Sequence, residues 1–354
     1  MRRPSEPRLE PNMVDRRTFL GMAAGAGATL ALTPELLRAL QQSSANPIQR
    51  AIPSTGEKLP VVGLSFSNHA VCGDPVALKA VLKTFADNGA RVFDAQHGNA
   101  AAEQFHATLA SELGIQNKVF WSTGLSMQLR QGAPAPDAAA VKAQLDAVFT
   151  RLKVSKIDLM MIPASNPYFV STALPTVLSV VKEAKKEGRI RYIGVSELPA
   201  PSNPYATLMS IMRNEPIDFI GVPHYHMANR AAEEALLPLA QERKLGVMVY
   251  MPFELSRLFQ RTSNTPLPEW AAEFDAKTWA QFFLKYLVSH PAVTVVLPGT
   301  SSATHMLDNI GGGIGQLPNE ATRKRMAELV DSFPPFQAPG QVPGRVTRPH
   351  PDRV

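Results

Sequence analysis

The sequence predicts a (β/α)8 TIM barrel, eight parallel strands alternating with helices, over residues 46–332. Short apolar, β-branched runs alternate with longer stretches whose apolar residues recur every three or four positions. The runs are almost continuously apolar, as strands covered on both faces are. Eight of them can be counted after residue 50, and that number fits a closed barrel better than an open sheet.

In chain order the candidate strands are VVGLSF (61–66), RVFDA (91–95), VFWST (119–123), IDLMMI (157–162), RYIGVS (191–196), DFIGV (218–222), GVMVY (246–250) and VTVVLP (293–298). Between them lie amphipathic helical patterns: DPVALKAVLKTFADNG, DAAAVKAQLDAVFTRLKV, LPTVLSVVKEAKKEGR, NRAAEEALLPLAQERKLG and DAKTWAQFFLKYLVSH. Several stop at Gly after a charged last turn, the usual helix exit. No G-x-G-x-x-G follows the first strand, which weakens an open dinucleotide-binding sheet. GGGIG (311–315) follows a helix instead and reads as its terminator. Met160 and Met161 read as barrel core.

The flanks differ from this body. Residues 1–45 hold Arg16 and Arg17 before a mild apolar run from Phe19 to Leu32. That run is short of the roughly 20 apolar residues needed to span a bilayer. A charged start and a short apolar core read as an export signal, and D-R-R-T-F-L resembles the twin-arginine form. The expected location is periplasmic, with membrane contact only through that signal. Residues 333–354 are dense in Pro and Gly and read as an irregular tail. Six Arg against four acids in 1–45, and three Arg against one Asp in 333–354, carry most of the net charge of +6. The body has no basic run, so a nucleic-acid partner is not expected. The single cysteine, Cys72, excludes an internal disulfide and reads as a small buried residue.

In a barrel of this kind chemistry sits where strands end and loops begin. That rule selects Asp94, Thr123, Gly124, Ile162, Pro163, Ser196, Glu197, the VPHYH stretch (222–226), Tyr250 and PGTSSATHMLDN (298–309). Four of the segments, GARVFDAQHGNAAAEQFHATLASELG, AKKEGRIRYIGVSEL, NRAAEEALLPLAQERKLGVMVYMPF and VVLPGTSSATHMLDNI, resemble the aldo/keto reductase family in chain order.

The resemblance implies a carbonyl reductase that uses NADP(H) and a catalytic Asp, Tyr, Lys and His. Of these only the Asp is kept, as Asp94. The Tyr position holds Asn99, the Lys position Gly124 and the His position Pro163. Asn cannot donate as a phenol does, Gly carries no charge, and Pro has neither function.

The cofactor positions are better kept. Ser196 stands where the family binds the nicotinamide amide, with Glu197 in place of the usual Asn. Val222 is the nearest counterpart of an expected Gln. Tyr250 matches an aromatic that stacks on nicotinamide. Gly299, Thr300 and Ser301 match the phosphate segment at a helix start. His305 stands where a basic residue meets the 2′-phosphate, and Asp308 and Asn309 match the adenine contacts.

Three readings follow. The first is a reductase-like enzyme acting on a small carbonyl or sugar-like substrate, with its acid recruited from His97, Tyr225 or substrate-bound water. The second is a pseudoenzyme that binds nucleotide or another ligand and acts through a partner. The third is a metal-dependent lyase or isomerase, using His224 and His226 on one face of an extended PHYH segment with Asp94 or His97 opposite. Each named residue also has a structural reading: Asp94 bonded to loop backbone, His97 solvated, and the His pair simply hydrogen-bonded. Sequence gives no oligomeric state.

Overall fold

The computed structural model describes residues 46–334, apart from 67–72, 96–98, 126–128, 130–131, 165 and 198–204. The expected export signal, Cys72, His97 and the tail from 335 onward lie outside the described residues.

The chain opens with an antiparallel hairpin, β1 (Gln49–Ala51) and β2 (Lys58–Pro60). Eight parallel strands follow in sequence order: β3 (Leu64–Ser65), β4 (Val92–Asp94), β5 (Phe120–Gly124), β6 (Ile157–Pro163), β7 (Ile190–Ser196), β8 (Phe219–Pro223), β9 (Gly246–Tyr250) and β10 (Val295–Leu297). Each expected run overlaps one of them. The sheet closes on itself. The Gly63 amide donates to the Val296 carbonyl at 2.9 Å, and the Ser65 amide donates to that of Pro298 at 3.2 Å.

The helices are α1 (Pro75–Asp87), α2 (Ala100–Glu112), α3 (Ala138–Leu152), α4 (Pro167–Thr172), α5 (Leu174–Lys186), α6 (Ala206–Asn214), α7 (Leu236–Glu242), α8 (Arg257–Thr262), α9 (Trp279–Val288), α10 (Ala303–Gly311) and α11 (Glu320–Ser332). Asp74, Asn99, Asp137, Thr278, Ser302 and Asn319 each cap one by accepting from a first-turn amide, which the backbone itself leaves unpaired. Among the described residues no helix is long and apolar enough to cross a membrane.

Strand alternation sorts the side chains. Outward residues such as Phe93, Trp121, Met160 and Val222 pack under the helices. Inward residues such as Val92, Phe120, Leu159, Met161, Tyr192 and Met248 fill the barrel, joined by Ile52 and Leu59 of the hairpin. The hairpin therefore closes the N-terminal end, where Tyr192 bonds Thr55 and Glu57. Its strands have three residues each, too few for a periodic pattern to be read.

Other expectations change in detail. The single helix read in NRAAEEALLPLAQERKLG is a 3-10 turn at Ala231–Glu233 followed by α7, because Ala235 leaves helical geometry at φ −139°. The first two residues after α11 are irregular but held to the barrel. Phe333 packs on Trp279 at 5.9 Å, and Arg261 donates to the Phe333 and Pro334 carbonyls.

Candidate active site at the barrel mouth

Strand register builds the acidic side of the mouth. Ser65, Asp94 and Ser122 are cross-strand neighbours on β3, β4 and β5, so all three point inward at one level. Ser65 Oγ donates to Asp94 Oδ2 at 2.9 Å, and Ser122 Oγ to Asp94 Oδ1 at 3.3 Å. Asp94 is only 2% exposed. The two serines were not singled out from sequence; period-2 alternation from Asp94 across the register would have found them.

The residues at the Tyr, Lys and His positions that the resemblance implies can now be placed. Asn99 caps α2, its Oδ1 accepting from the Ala102 amide at 3.1 Å. Gly124 ends β5 opposite Met161, and Pro163 ends β6 opposite Ser196. Alternation turns both inward, so two mouth positions offer no proton-transfer group. Behind them, buried Glu103 accepts from Thr123 Oγ1 at 2.8 Å and from Arg151 Nε at 2.6 Å, tying α2 to β5 and α3.

Tyr250 at the end of β9 is 8% exposed and belongs to the barrel-interior cluster. A Cβ on Gly221 would fall 2.7 Å from Ser196 Cβ and 2.9 Å from Tyr250 Cε2, so only glycine leaves room for this ring. Burial, then the Asp94 charge, push the Tyr250 phenol well above its usual range, and a hydrogen bond with Ser122 works the other way. The hydroxyl is thus turned toward the acidic row.

Tyr225 is buried away from Asp94 and is not placed as a substitute acid. Its hydroxyl donates to Glu233 Oε1 at 2.7 Å, in a cluster where Tyr286 (3.0 Å) and Arg323 (2.8 Å) donate to the same oxygen. Burial and Glu233 hold the phenol well above its usual range. This group anchors α9 and α11, and its charged neighbours are Glu233 and Arg323, not Asp94. The reason is directional: the chain leaves its extended path at His224, which has φ +60°.

The same turn removes the premise that His224 and His226 share one face. His226 Nδ1 accepts from the Ala228 amide at 3.3 Å, and its Nε2 lies 3.9 Å from Glu254. Burial, then His224 and two arginines, lower it to about 4. Among the described residues no group of three or more His, Cys, Asp or Glu side chains gathers in a metal-binding arrangement.

A histidine that went unnoticed lies behind Asp94. His106 of α2 is fully buried against the rings of Phe66, Phe93 and Phe105. Burial lowers it to about 4, against the pull of Asp94 and the Ala95 backbone, and neither ring nitrogen makes a hydrogen bond of good geometry.

On the opposite side of the mouth, Ser196 is inward and 7% exposed, whereas Val222 is outward and cannot reach the mouth. Glu197 is spent on α6, accepting from the Leu208 amide at 2.8 Å. After β10 the chain makes a solvent-facing turn: Gly299 and Ser301 are exposed and Thr300 half-buried. Thr300 Oγ1 accepts from the Ser302 amide at 3.1 Å, and Ser302 Oγ from the His305 amide at 3.4 Å. Ser302, one residue beyond the expected segment, is therefore the cap; its spacing before a helix run is the signal that could have shown it. His305 is exposed one turn along α10.

Asp308 faces inward instead. It accepts from Thr278 Oγ1 at 2.9 Å and Gln281 Nε2 at 2.8 Å. Burial raises its carboxyl, opposed by those bonds and by nearby His305. Asn309 is likewise buried.

A closed (β/α)8 barrel thus carries an acidic strand end on one side of its mouth and a capped, exposed helix start on the other. A model of the aldo/keto reductase family matches residues 66–325, and the chain belongs to that family. It is 28% identical over 144 residues to an NADH-specific methylglyoxal reductase of Escherichia coli K12; the match spans 40% of this chain and 41% of that protein. An aldo-keto reductase from Bacillus halodurans, in its holo form, shares the fold at TM-score 0.65 and 19% identity, over 80% of this chain and 96% of that one. An aldo-keto reductase from Klebsiella pneumoniae in complex with NADPH does so at 0.61 and 21%, over 83% and 97%.

Proposed function

We propose that this chain is an exported, NADP(H)-binding aldo/keto reductase-type domain whose parent proton relay is lost, so that carbonyl reduction is altered or absent. The observation that carries this is the contrast across the mouth. The turn at Gly299–Ser301 stays exposed at a capped helix start, while Asn99 is spent as a cap and Gly124 and Pro163 bring no acid or cation.

The residues fit the group unevenly. First-turn amides of α10, with Thr300 and Ser301, suit a phosphate, since a helix start offers unpaired N–H groups and positive potential. His305 would meet a 2′-phosphate, Asn309 would lie on the adenine side, and Ser196 and the Tyr250 ring would flank the nicotinamide. Asp308 is engaged by Thr278 and Gln281 and offers little to adenine. When bound, the dinucleotide supplies or takes up hydride. What remains in the chain for proton handling is Asp94, which accepts from the Ser65 and Ser122 hydroxyls, together with His97 three residues further along the sequence. A neutral histidine can accept and return a proton near neutral pH. The substrate would be a small carbonyl or sugar-like molecule.

Fluorescence titration with NADPH, and analysis of nucleotide released on denaturation, test the reading. Binding below millimolar nucleotide with little turnover over an aldehyde and sugar panel supports it. Absence of binding at millimolar nucleotide defeats it. Brisk turnover that is lost in His97→Gln would instead name His97 as the recruited acid. Export through the twin-arginine route belongs to the same reading: Arg16→Lys with Arg17→Lys should leave the protein in the cytoplasmic fraction, and unchanged periplasmic recovery would reject it.

A further inference from the structure

We propose that the mouth takes a substrate whose reacting double bond already carries positive charge, a protonated imine (iminium, C=N⁺H), and reduces it to an amine. The reductant is the reduced nicotinamide dinucleotide of the reading above, on which this proposal rests.

The first support is the sign of the charge at the strand ends. Among the described residues, Ser65, Asp94, Ser122, Gly124, Pro163 and Ser196 turn inward at the ends of β3 to β7. Gly221, Tyr250 and Leu297 continue the ring on β8 to β10. Asp94 is the one carboxyl in this set, and none of the set is Lys, Arg or His. Both Asp94 oxygens accept from serine hydroxyls, which is how an ionised carboxylate, having no proton to give, uses them. The cation that reaches β5 from α3, Arg151, is engaged by buried Glu103 on the outer side of the strand.

The second support is what this set of groups can and cannot do. Hydride addition to a carbonyl carbon drives the π pair onto oxygen and leaves an alkoxide. That oxygen needs a proton as it forms, or a cation beside it. Asn99, Gly124 and Pro163 supply neither, and a neighbouring carboxylate makes an alkoxide harder to form. Burial, then the Asp94 charge, push the Tyr250 phenol well above its usual range, so it gives up its proton poorly.

An iminium makes the opposite demand. Hydride bonds to carbon, the C=N π pair becomes the nitrogen lone pair, and the positive charge is cancelled. The hydride brings both electrons, so the substrate is reduced by two and the dinucleotide oxidised by two. No proton passes from the protein. Such a substrate must instead stay protonated until it reacts, and an opposite charge within about 4–6 Å favours the charged form by roughly 1–3 pK units. The groups absent from this mouth are those that a carbonyl needs and an iminium does not, and Asp94 is the group that an iminium needs.

The test begins with binding, read by calorimetry on the full 354-residue chain. Pyrrolidine, a cation at neutral pH, should bind about tenfold or more tighter than neutral cyclopentanol of the same size. Asp94→Asn should bring that ratio near unity. Gly124→Lys, which adds a cation from β5 and leaves the serine hydrogen bonds to Asp94 in place, should reverse it. With NADPH, whose own affinity is titrated separately, the cyclic imine methylpyrroline should be reduced with kcat/KM about tenfold or more above that of cyclopentanone. A binding ratio near unity in the unaltered chain, a preference for the cation kept in both variants, or imine reduction no faster than ketone reduction overturns this proposal, and measured NADPH binding then leaves the nucleotide reading standing. Failure of NADPH to bind overturns both.

Discussion

Asn99 holds the start of α2. Its Oδ1 caps α2, so Asn99→Ala should cost about 1 kcal/mol, read as a lower urea midpoint at unchanged slope. Asn99→Tyr should lose the same cap and still give no NADPH-dependent carbonyl reduction, because Gly124 supplies no cation to ready the phenol. Measurable reduction by that variant would show that the relay was broken at one position only.

The buried histidines set the response to acid. His106 and His226 both fall from an ordinary 6.5 to about 4, so the folded state holds them neutral. Between those values the unfolded chain binds a proton that the folded chain refuses. Their contribution is therefore full above pH 6.5 and is lost as pH drops toward and through 4. The loss is up to about 3 kcal/mol for each, since one pKa unit is roughly 1.4 kcal/mol. Urea melts between pH 7 and 4.5 should show the decline. His106→Leu should remove about half of it, the His226 share remaining, without harming stability at pH 7, because it removes a buried polar ring that makes no good hydrogen bond.

At the scale of elements, Glu103 decides how α2 meets its neighbours. Its two oxygens take Thr123 of β5 and Arg151 of α3, and the carboxylate is fully buried. Glu103→Ala should cost about 3 kcal/mol, because it strips a buried partner set rather than a surface pair. Thermal or urea unfolding would check this, and a change below about 1 kcal/mol would mean that Arg151 is satisfied by water instead. Glu197 and Glu233 follow the same pattern, the first bonded to the start of α6 and the second to Tyr225, Tyr286 and Arg323. Around this mouth, several side chains that resemble or neighbour functional positions hold helices in place.

For the whole molecule, the closed sheet fixes the relation between the two halves of the mouth. Asp94 on β4 and the α10 turn after β10 are both carried close to the closure, where the strand that contains Ser65 pairs with β4 and meets β10. Nucleotide bound only by the folded barrel should raise the melting temperature, with about 2.7 kcal/mol of added stability at 100 times the dissociation constant. The hairpin closes the other end, so ligand access is through the mouth alone among the described elements.

The eight strands and their order were legible in the sequence because each is a short apolar run between amphipathic helices, and local composition is enough to mark such a run. The same held for Asp94, Gly124 and Pro163, which sit at strand ends where period-2 alternation fixes their direction. The directions of side chains beyond the strand ends were not legible. Tyr225 and His226 depend on a left-handed residue at His224, Asp308 depends on Thr278 thirty residues away, and Ser65 and Ser122 reach Asp94 only through cross-strand register. Local pattern determines which residues form an element and which face they take. Which partner a polar side chain finds depends on contacts distant in sequence, and only the closed barrel brings those together.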